Sequence, residues 1–268
     1  MNTITLIGCG WFGLPLAKHL INQGFQVKAS KRHVDDLVSL PQMGIEGYQL
    51  DLANVTLDAK ASSLFDADAI VINIPPGLRR GESDYIAYLT ELKSLMGTRQ
   101  YQKVIFISTT GVYPSLDQTA NEDDASAFNG MSETLLQAES MFASMANSCI
   151  VRFSGLIGPK RHPGRFFAGK SDVSGANVAV NLVHLEDCIA AVSLILSTQD
   201  TLPIYNLAAP IHPTRGEFYV AAAKHLGLTA PEFNQQSQPS KVIDGQLICR
   251  DLGYVYRQPN PLKMLDAC

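Results

Sequence analysis

Apolar runs of strand length alternate with amphipathic runs of helix length through the first half of the chain. Residues 3–7 read as a buried strand, and 12–22 as a helix ending at Gly24. A strand follows at 25–30, then a helix near 33–40, a strand near 46–50 and a weak helix near 56–64. The apolar run Ala69-Ile-Val-Ile-Asn-Ile74 is a strand stopped by Pro75-Pro76-Gly77. Residues 83–96 read as a helix and Lys103-Val-Ile-Phe-Ile-Ser108 as another buried strand. Residues 132–145 are helical, with Leu135, Leu136, Phe142 and Met145 along one face, and Cys149-Ile-Val-Arg152 is a sixth strand. Strands apolar on both faces, alternating with helices, specify an α/β fold: a Rossmann-like, doubly wound parallel sheet. Such folds bind ligands at the carboxyl ends of their strands.

After residue 153 the pattern loosens. A loop rich in glycine and basic residues runs over 161–175, and helices follow at about 185–197 and 214–226. Residues 1–153, completed by about 177–207, are therefore expected to form the dinucleotide-binding region. Residues 154–268 would supply a small C-terminal substrate-binding part, interleaved with it. There is no internal repeat and no low-complexity linker.

The first strand runs straight into Gly8-x-Gly10-x-x-Gly13, and a helical pattern leaves it. That context turns a weak glycine pattern into a dinucleotide-binding prediction. Gly8 makes the tight turn, Gly10 lets a pyrophosphate approach the backbone, and Gly13 lets helix and strand pack closely. The pyrophosphate would sit at the positive end of the helix. Expected contacts are Gly8, Gly10, Trp11, Phe12 and Gly13, with Ile74 and Pro75 beyond the later strand. The bland alternative is a βα turn that is merely glycine-rich.

An NAD site usually carries Asp or Glu about 20 residues after the glycines. Here the second strand ends in Ser30-Lys31-Arg32. A hydroxyl and two cations suit a 2′-phosphate, so NADP(H) is expected to be preferred over NAD(H). The competing reading is that Lys31 and Arg32 lie on a solvated face.

The 268 residues carry a formal net charge of −4, which argues against a nucleic-acid partner. The five cysteines show no C-x-x-C pair and no metal-ligand spacing, so no metal is expected. Cys9 reads as a packing residue rather than a redox thiol. The start, Met1-Asn-Thr-Ile, lacks a basic signal-peptide region, and no apolar stretch is long enough for a membrane span. A cytoplasmic location is the expectation.

Several segments resemble one family, the extended and atypical short-chain dehydrogenase/reductases of the NAD(P)-dependent epimerase/dehydratase group, and within it most closely the bacterial YeeZ type. Leu50-Asp51-Leu52 is similar to the family's Asp-Leu that contacts adenine. Phe106-Ile-Ser-Thr-Thr-Gly-Val-Tyr-Pro114 resembles its Ser-Ser-x-x-Val-Tyr-Gly segment, which brings in Ser108 as a cofactor contact. Val151-Arg-Phe-Ser-Gly-Leu-Ile-Gly-Pro159 resembles the segment that lies near the nicotinamide. Asn181–Asp187 and Ile204–Leu207 match two later family stretches, and Arg161–Lys170 looks most like the YeeZ type. The family's dimer pairs two helices, for which 83–96 and 132–145 are candidates, although their apolar faces serve equally as core faces.

The chain departs from the family in two places. Its glycine loop is one residue shorter than the usual Gly-x-x-Gly-x-x-Gly. The catalytic Tyr-x-x-x-Lys is missing: that region reads Phe128-Asn-Gly-Met-Ser-Glu133, and none of the nine tyrosines has a lysine four residues later. Three candidates remain for the chemistry. Thr109 stands at the family's catalytic Ser/Thr position, against the alternative of a hydroxyl satisfying backbone. Tyr113, usually structural in the family, could replace the missing acid. His162 could be a general acid near neutral pH. Arg161, Arg165 and Lys170 suit an anionic small-molecule substrate such as a nucleotide sugar, and Phe166-Phe167 suggests a loop that closes on something. His184 reads as a structural histidine.

The resemblance implies an oxidoreductase or epimerase/dehydratase acting on a nucleotide sugar or similar anion. A non-catalytic NADP(H)-sensing protein is the alternative that the missing pair supports. A third likeness, to 3-hydroxyacid dehydrogenases of the 6-phosphogluconate type, is carried by the glycine loop and Val71–Pro75. It demands a long all-helical second domain, which residues 151–207 do not resemble.

Overall fold

A computed structural model describes residues 1–55, 62–77 and 84–268. The strands are β1 (Thr3–Ile7), β2 (Gln26–Lys31), β3 (Ile45–Gln49), β4 (Ala69–Ile72), β5 (Lys103–Thr109), β6 (Gln118–Ala120), β7 (Ser148–Phe153), β8 (Gly155–Ile157), β9 (Leu182–His184), β10 (Ile204–Leu207) and β11 (Lys241–Ile243). The α-helices given whole by the described residues are α1 (Gly13–Asn22), α2 (Tyr85–Met96), α3 (Gly130–Ala143), α4 (Leu185–Ser197), α5 (Arg215–His225), α6 (Leu247–Leu252) and α7 (Pro261–Met264).

Seven strands form one parallel sheet in the order β10-β7-β5-β4-β1-β2-β3. Ile4 sits beside Val27 on one side and Ala69 on the other. The chain winds outward from β1 through β2 and β3, then returns to β4 on the opposite side. The strand order therefore reverses between β1 and β4, and a crevice at such a switch point is where doubly wound sheets hold ligands. Every residue of β4 is buried, as are the first six of β5. A strand enclosed on both faces needs a mostly apolar run such as Val104–Ile107, because neither face can meet water.

The chain divides into two compact units. The first comprises Met1–Ser108, Asn129–Val151 and Val192–Pro203. Its α1 buries Leu16, Ala17 and Leu20, and on α3 Leu135, Ala138 and Phe142 are buried at the i, i+3, i+7 spacing of one helical face. Phe142 stacks on Phe106 of β5, with centroids 4.7 Å apart. The second unit comprises Thr109–Phe128, Arg152–Ala191 and Ile204–Cys268. It contains the two-stranded sheets β6–β11 and β8–β9, and a core in which Ile157, Leu182, Phe218 and Met264 meet.

The helix expected near 33–40 is instead two short 3-10 turns, Val34–Leu37 and Pro41–Met43. Pro41, which has no N–H to donate, stands at the first position of the second turn, where none is needed. Most of the weak helix expected near 56–64, and the first residue of the one expected at 83–96, lie outside the described residues.

Candidate functional site

β1 ends at Ile7 and the chain turns on Gly8, at φ +98°. A Cβ there would lie 2.3 Å from the Asn73 carbonyl oxygen, so glycine is required by both torsion and space. A Cβ at Gly13 would lie 2.4 Å from the Gly8 carbonyl oxygen. At Gly10 nothing stands within 4 Å. The outer glycines are thus closed down by protein backbone, while the middle one faces open space. Above that loop α1 begins with Phe12 as its N-cap residue, no side-chain cap and no acid in the first turn. A helix start without its own capping acceptor directs N–H donors and the positive end of the dipole at an incoming anion. A pyrophosphate fits this arrangement.

The Gly8 peptide is held from both sides. Its N–H donates to Ser30 Oγ at 3.0 Å, and its carbonyl accepts from Asn73 Nδ2 at 3.2 Å. Cys9 N–H adds a bond to the Ser30 carbonyl at 3.0 Å. Ser30, expected beside a 2′-phosphate, is buried, and its side-chain oxygen accepts from the glycine loop and fixes its shape. Asn73 was not expected as a site residue. The signal for it was its polar amide inside an otherwise apolar strand run.

Beyond Ser30, Arg32 is exposed and its Nε lies 3.3 Å from Asp51 Oδ1. The Asn54 amide, then the Ala53 N–H and Arg32, hold the Asp51 carboxyl below the usual carboxylate range. Lys31 ends β2, and Leu52 follows Asp51 in a turn. The Ile74 carbonyl accepts from the Tyr85 hydroxyl at 3.3 Å, and Pro75 is exposed. Ser108, expected as a cofactor contact, is buried, and its hydroxyl donates to the buried Glu139 at 2.5 Å. Cys9 is buried, and burial raises its thiol pKa, which fits a packing residue. Trp11 is half-buried within the loop.

The second unit holds the residues expected to carry chemistry. Thr109 Oγ1 accepts from Gly111 N–H at 3.2 Å and caps the turn Thr110–Val112. Tyr113 is fully buried. Its hydroxyl donates to Asn206 Oδ1 at 2.7 Å and accepts from Arg152 Nη1 at 2.7 Å. Burial raises its pKa, against a smaller opposing effect of Arg152. A phenol enclosed and bonded in this way cannot reach a substrate, so Tyr113 as replacement acid is corrected to a structural role. At His162, expected as a general acid, Nδ1 accepts from Gly164 N–H at 3.0 Å and Nε2 faces His225 Nδ1 at 3.0 Å, so both ring nitrogens are engaged within the chain. His184 is buried, with Nδ1 accepting from Glu186 N–H and Nε2 facing the Ala267 carbonyl.

Arg161, Arg165 and Lys170 are exposed along one loop. Phe166 is 62% exposed, while Phe167 packs edge-on against Tyr219 at 4.7 Å. Lys170 Nζ lies over both phenylalanine rings, 5.8 and 5.4 Å from their centroids. In the stretch lacking the family pair, Asn129 and Ser132 form a reciprocal capping box at the start of α3. Among the described residues no group of three or more His, Cys, Asp or Glu is placed to hold a metal.

Comparison with known proteins gives a match to the model of an NAD(P)H-binding family over residues 8–185. The chain is 38% identical to Protein YeeZ of Escherichia coli K12, covering 98% of this chain and 99% of the relative. Among solved structures it is similar to a functionally unknown conserved protein from Silicibacter pomeroyi, with TM-score 0.79, 20% identity and coverage of 100% and 98% of the two chains. It is also similar to MoeE5 in complex with UDP-glucose and NAD, with TM-score 0.77, 18% identity and coverage of 100% and 97%. These last two share the fold.

Proposed function

The chain belongs to the NAD(P)H-binding family, and on that premise we propose that it is an NADP(H)-dependent oxidoreductase or epimerase acting on a nucleotide sugar or similar anion. One observation carries the reading. The glycine loop is closed by backbone at Gly8 and Gly13, open at Gly10, and set beneath a helix start with no side-chain cap. A nicotinamide, when bound, supplies the hydride chemistry. The residues of this chain bind and orient it. Gly8, clamped by Ser30 and Asn73, fixes the loop under the pyrophosphate. Lys31 and Arg32 offer two cations where a 2′-phosphate would project, with Asp51 restraining the guanidinium. The exposed cations Arg161, Arg165 and Lys170 suit an anionic substrate, and the UDP-glucose bound by MoeE5 is consistent with that class. Thr109 retains its own hydroxyl proton to donate to a substrate oxygen. A cytoplasmic location and a homodimer accompany this reading as proposals.

A second reading, a cofactor-sensing protein without catalysis, is favoured by the use of Ser132 in a helix cap and by the enclosure of Tyr113. One titration separates the outcomes. Trp11, the single tryptophan, lies in the glycine loop, so bound reduced nicotinamide should quench its emission. Saturable quenching, tighter with NADPH than NADH, is expected. Quenching by neither cofactor in folded protein defeats both readings. Binding followed by NADPH oxidation, or by an epimerised or dehydrated UDP-sugar product with no net change in the cofactor, supports the enzyme. Binding without turnover across a broad carbonyl and sugar-nucleotide panel supports the sensor.

A further inference from the structure

Outside the cofactor site, the second unit contains a hydrogen-bonded chain of three ionisable side chains. His162 Nε2 lies 3.0 Å from His225 Nδ1, and His225 Nε2 lies 3.3 Å from Asp266 Oδ1. The two rings are parallel within 9°, with centroids 5.1 Å apart. The contacts fix the protons. Gly164 N–H donates to His162 Nδ1, so that nitrogen carries a lone pair and the neutral ring keeps its hydrogen on Nε2. Nε2–H then donates to His225 Nδ1, and His225 keeps its hydrogen on Nε2, facing Asp266. The partners lie 63 residues apart in sequence, so the chain ties the loop after β8 to the end of α5. Close approach supports the tie: a Cβ at Gly164 would lie 2.3 Å from the Ala222 carbonyl oxygen of α5.

We propose that His225 and Asp266 are positioning residues which, through His162, clasp the start of the basic loop against α5, and that proton uptake by the histidine pair opens the clasp. A proton on His162 Nδ1 removes the acceptor for Gly164 N–H. A proton on His225 Nδ1 sets N–H against N–H, unless His162 moves its hydrogen to Nδ1, where it faces Gly164 N–H. Every route breaks a hydrogen bond, and a second proton places two cations in contact. The charged groups on the packed elements are Lys160, Arg161 and Arg165 on the loop, Arg215, Glu217 and Lys224 on α5, Lys263 on α7, and Asp266. Of these, Asp266 lies against His225 at 3.3 Å, while burial raises the pKa of the Cys268 thiol. Burial, then His225, lowers the His162 pKa below its ordinary value. With the folded pKa below the unfolded one, the clasp contributes its full stability above the unfolded value. It loses that stability as pH falls through the folded one. The later half of the loop is held differently, by Phe167 against Tyr219 and by Gly169 N–H bonded to the Thr229 carbonyl. Opening therefore affects residues 160–165, which carry Arg161 and Arg165.

Amide hydrogen exchange on the full chain, corrected for intrinsic rates, tests this at about pH 7.5 and about pH 5, either side of the ordinary histidine range. In the wild type, protection at 160–165 should fall roughly tenfold or more at the lower pH, while β4 and residues 167–170 stay protected. The double variant His162→Asn with His225→Asn keeps a carbonyl acceptor for Gly164 N–H but holds no titratable ring, so its protection should be the same at both pH values. Asp266→Asn removes the charge that favours imidazolium, so its transition should move to lower pH. A wild-type loop unchanged between the two pH values, or the double variant losing protection as the wild type does, overturns the proposal.

Discussion

Ser30 shows how one hydroxyl can be read in two ways that a single variant separates. As a phosphate contact, it would matter for NADPH and be indifferent to NADH. As the acceptor for Gly8 N–H, it shapes the pyrophosphate loop and matters equally for both. Ser30→Ala leaves that N–H without its acceptor, a loss of about 1–2 kcal/mol, or roughly tenfold in affinity. The expected result is a parallel weakening of NADPH and NADH in the Trp11 titration, with Ser30→Thr retaining most of the binding. Selective loss of NADPH would return Ser30 to the phosphate.

At the scale of elements, the strand–turn–helix unit from β1 to α1 separates folding from binding. Gly8 and Gly13 are needed by the apo fold, since a Cβ at either meets backbone oxygen. Gly10 meets nothing within 4 Å, so the chain alone does not require it. Gly10→Ala should therefore unfold in urea within about 0.5 kcal/mol of the wild type, as substitutions away from packed features do, yet lose cofactor quenching. Gly8→Ala should instead be destabilised by several kcal/mol or fail to fold, because clash and a φ of +98° add together. Equal stability loss in the two would mean that the loop has no ligand-facing side. The same unit shows what was legible in sequence. Glycine spacing and strand runs are local, so β1, α1 and α4 could be read directly, and the Val-Tyr segment pointed to a structural Tyr113. The Ser30–Gly8, Ser108–Glu139 and His162–His225 bonds join residues 22, 31 and 63 positions apart, and no periodicity encodes such pairings.

For the whole molecule, the net charge of −4 sets a background field that disfavours a polyanionic cofactor, so recognition must come from local cations. Lys31 and Arg32 are the local cations at the end of β2, and Arg32 is already drawn toward Asp51. NADPH differs from NADH by one phosphate, and the energetic difference between the two should therefore reside in this pair. Binding to the folded state alone stabilises a protein by about 2.7 kcal/mol when ligand stands at a hundred times its Kd. For domains approaching this size, 1 kcal/mol moves Tm by about 2–4 °C, so saturating NADPH should raise Tm by about 5–10 °C. At equal concentration NADH should raise it less, and added salt should narrow the gap as the exposed guanidinium is screened. The double variant Lys31→Ala with Arg32→Ala should reduce the NADPH shift to the NADH value and leave the NADH shift in place. If both shifts fall together, the two cations hold the loop rather than choose the nucleotide. If neither changes, they lie on a solvated face and the preference for NADP(H) fails.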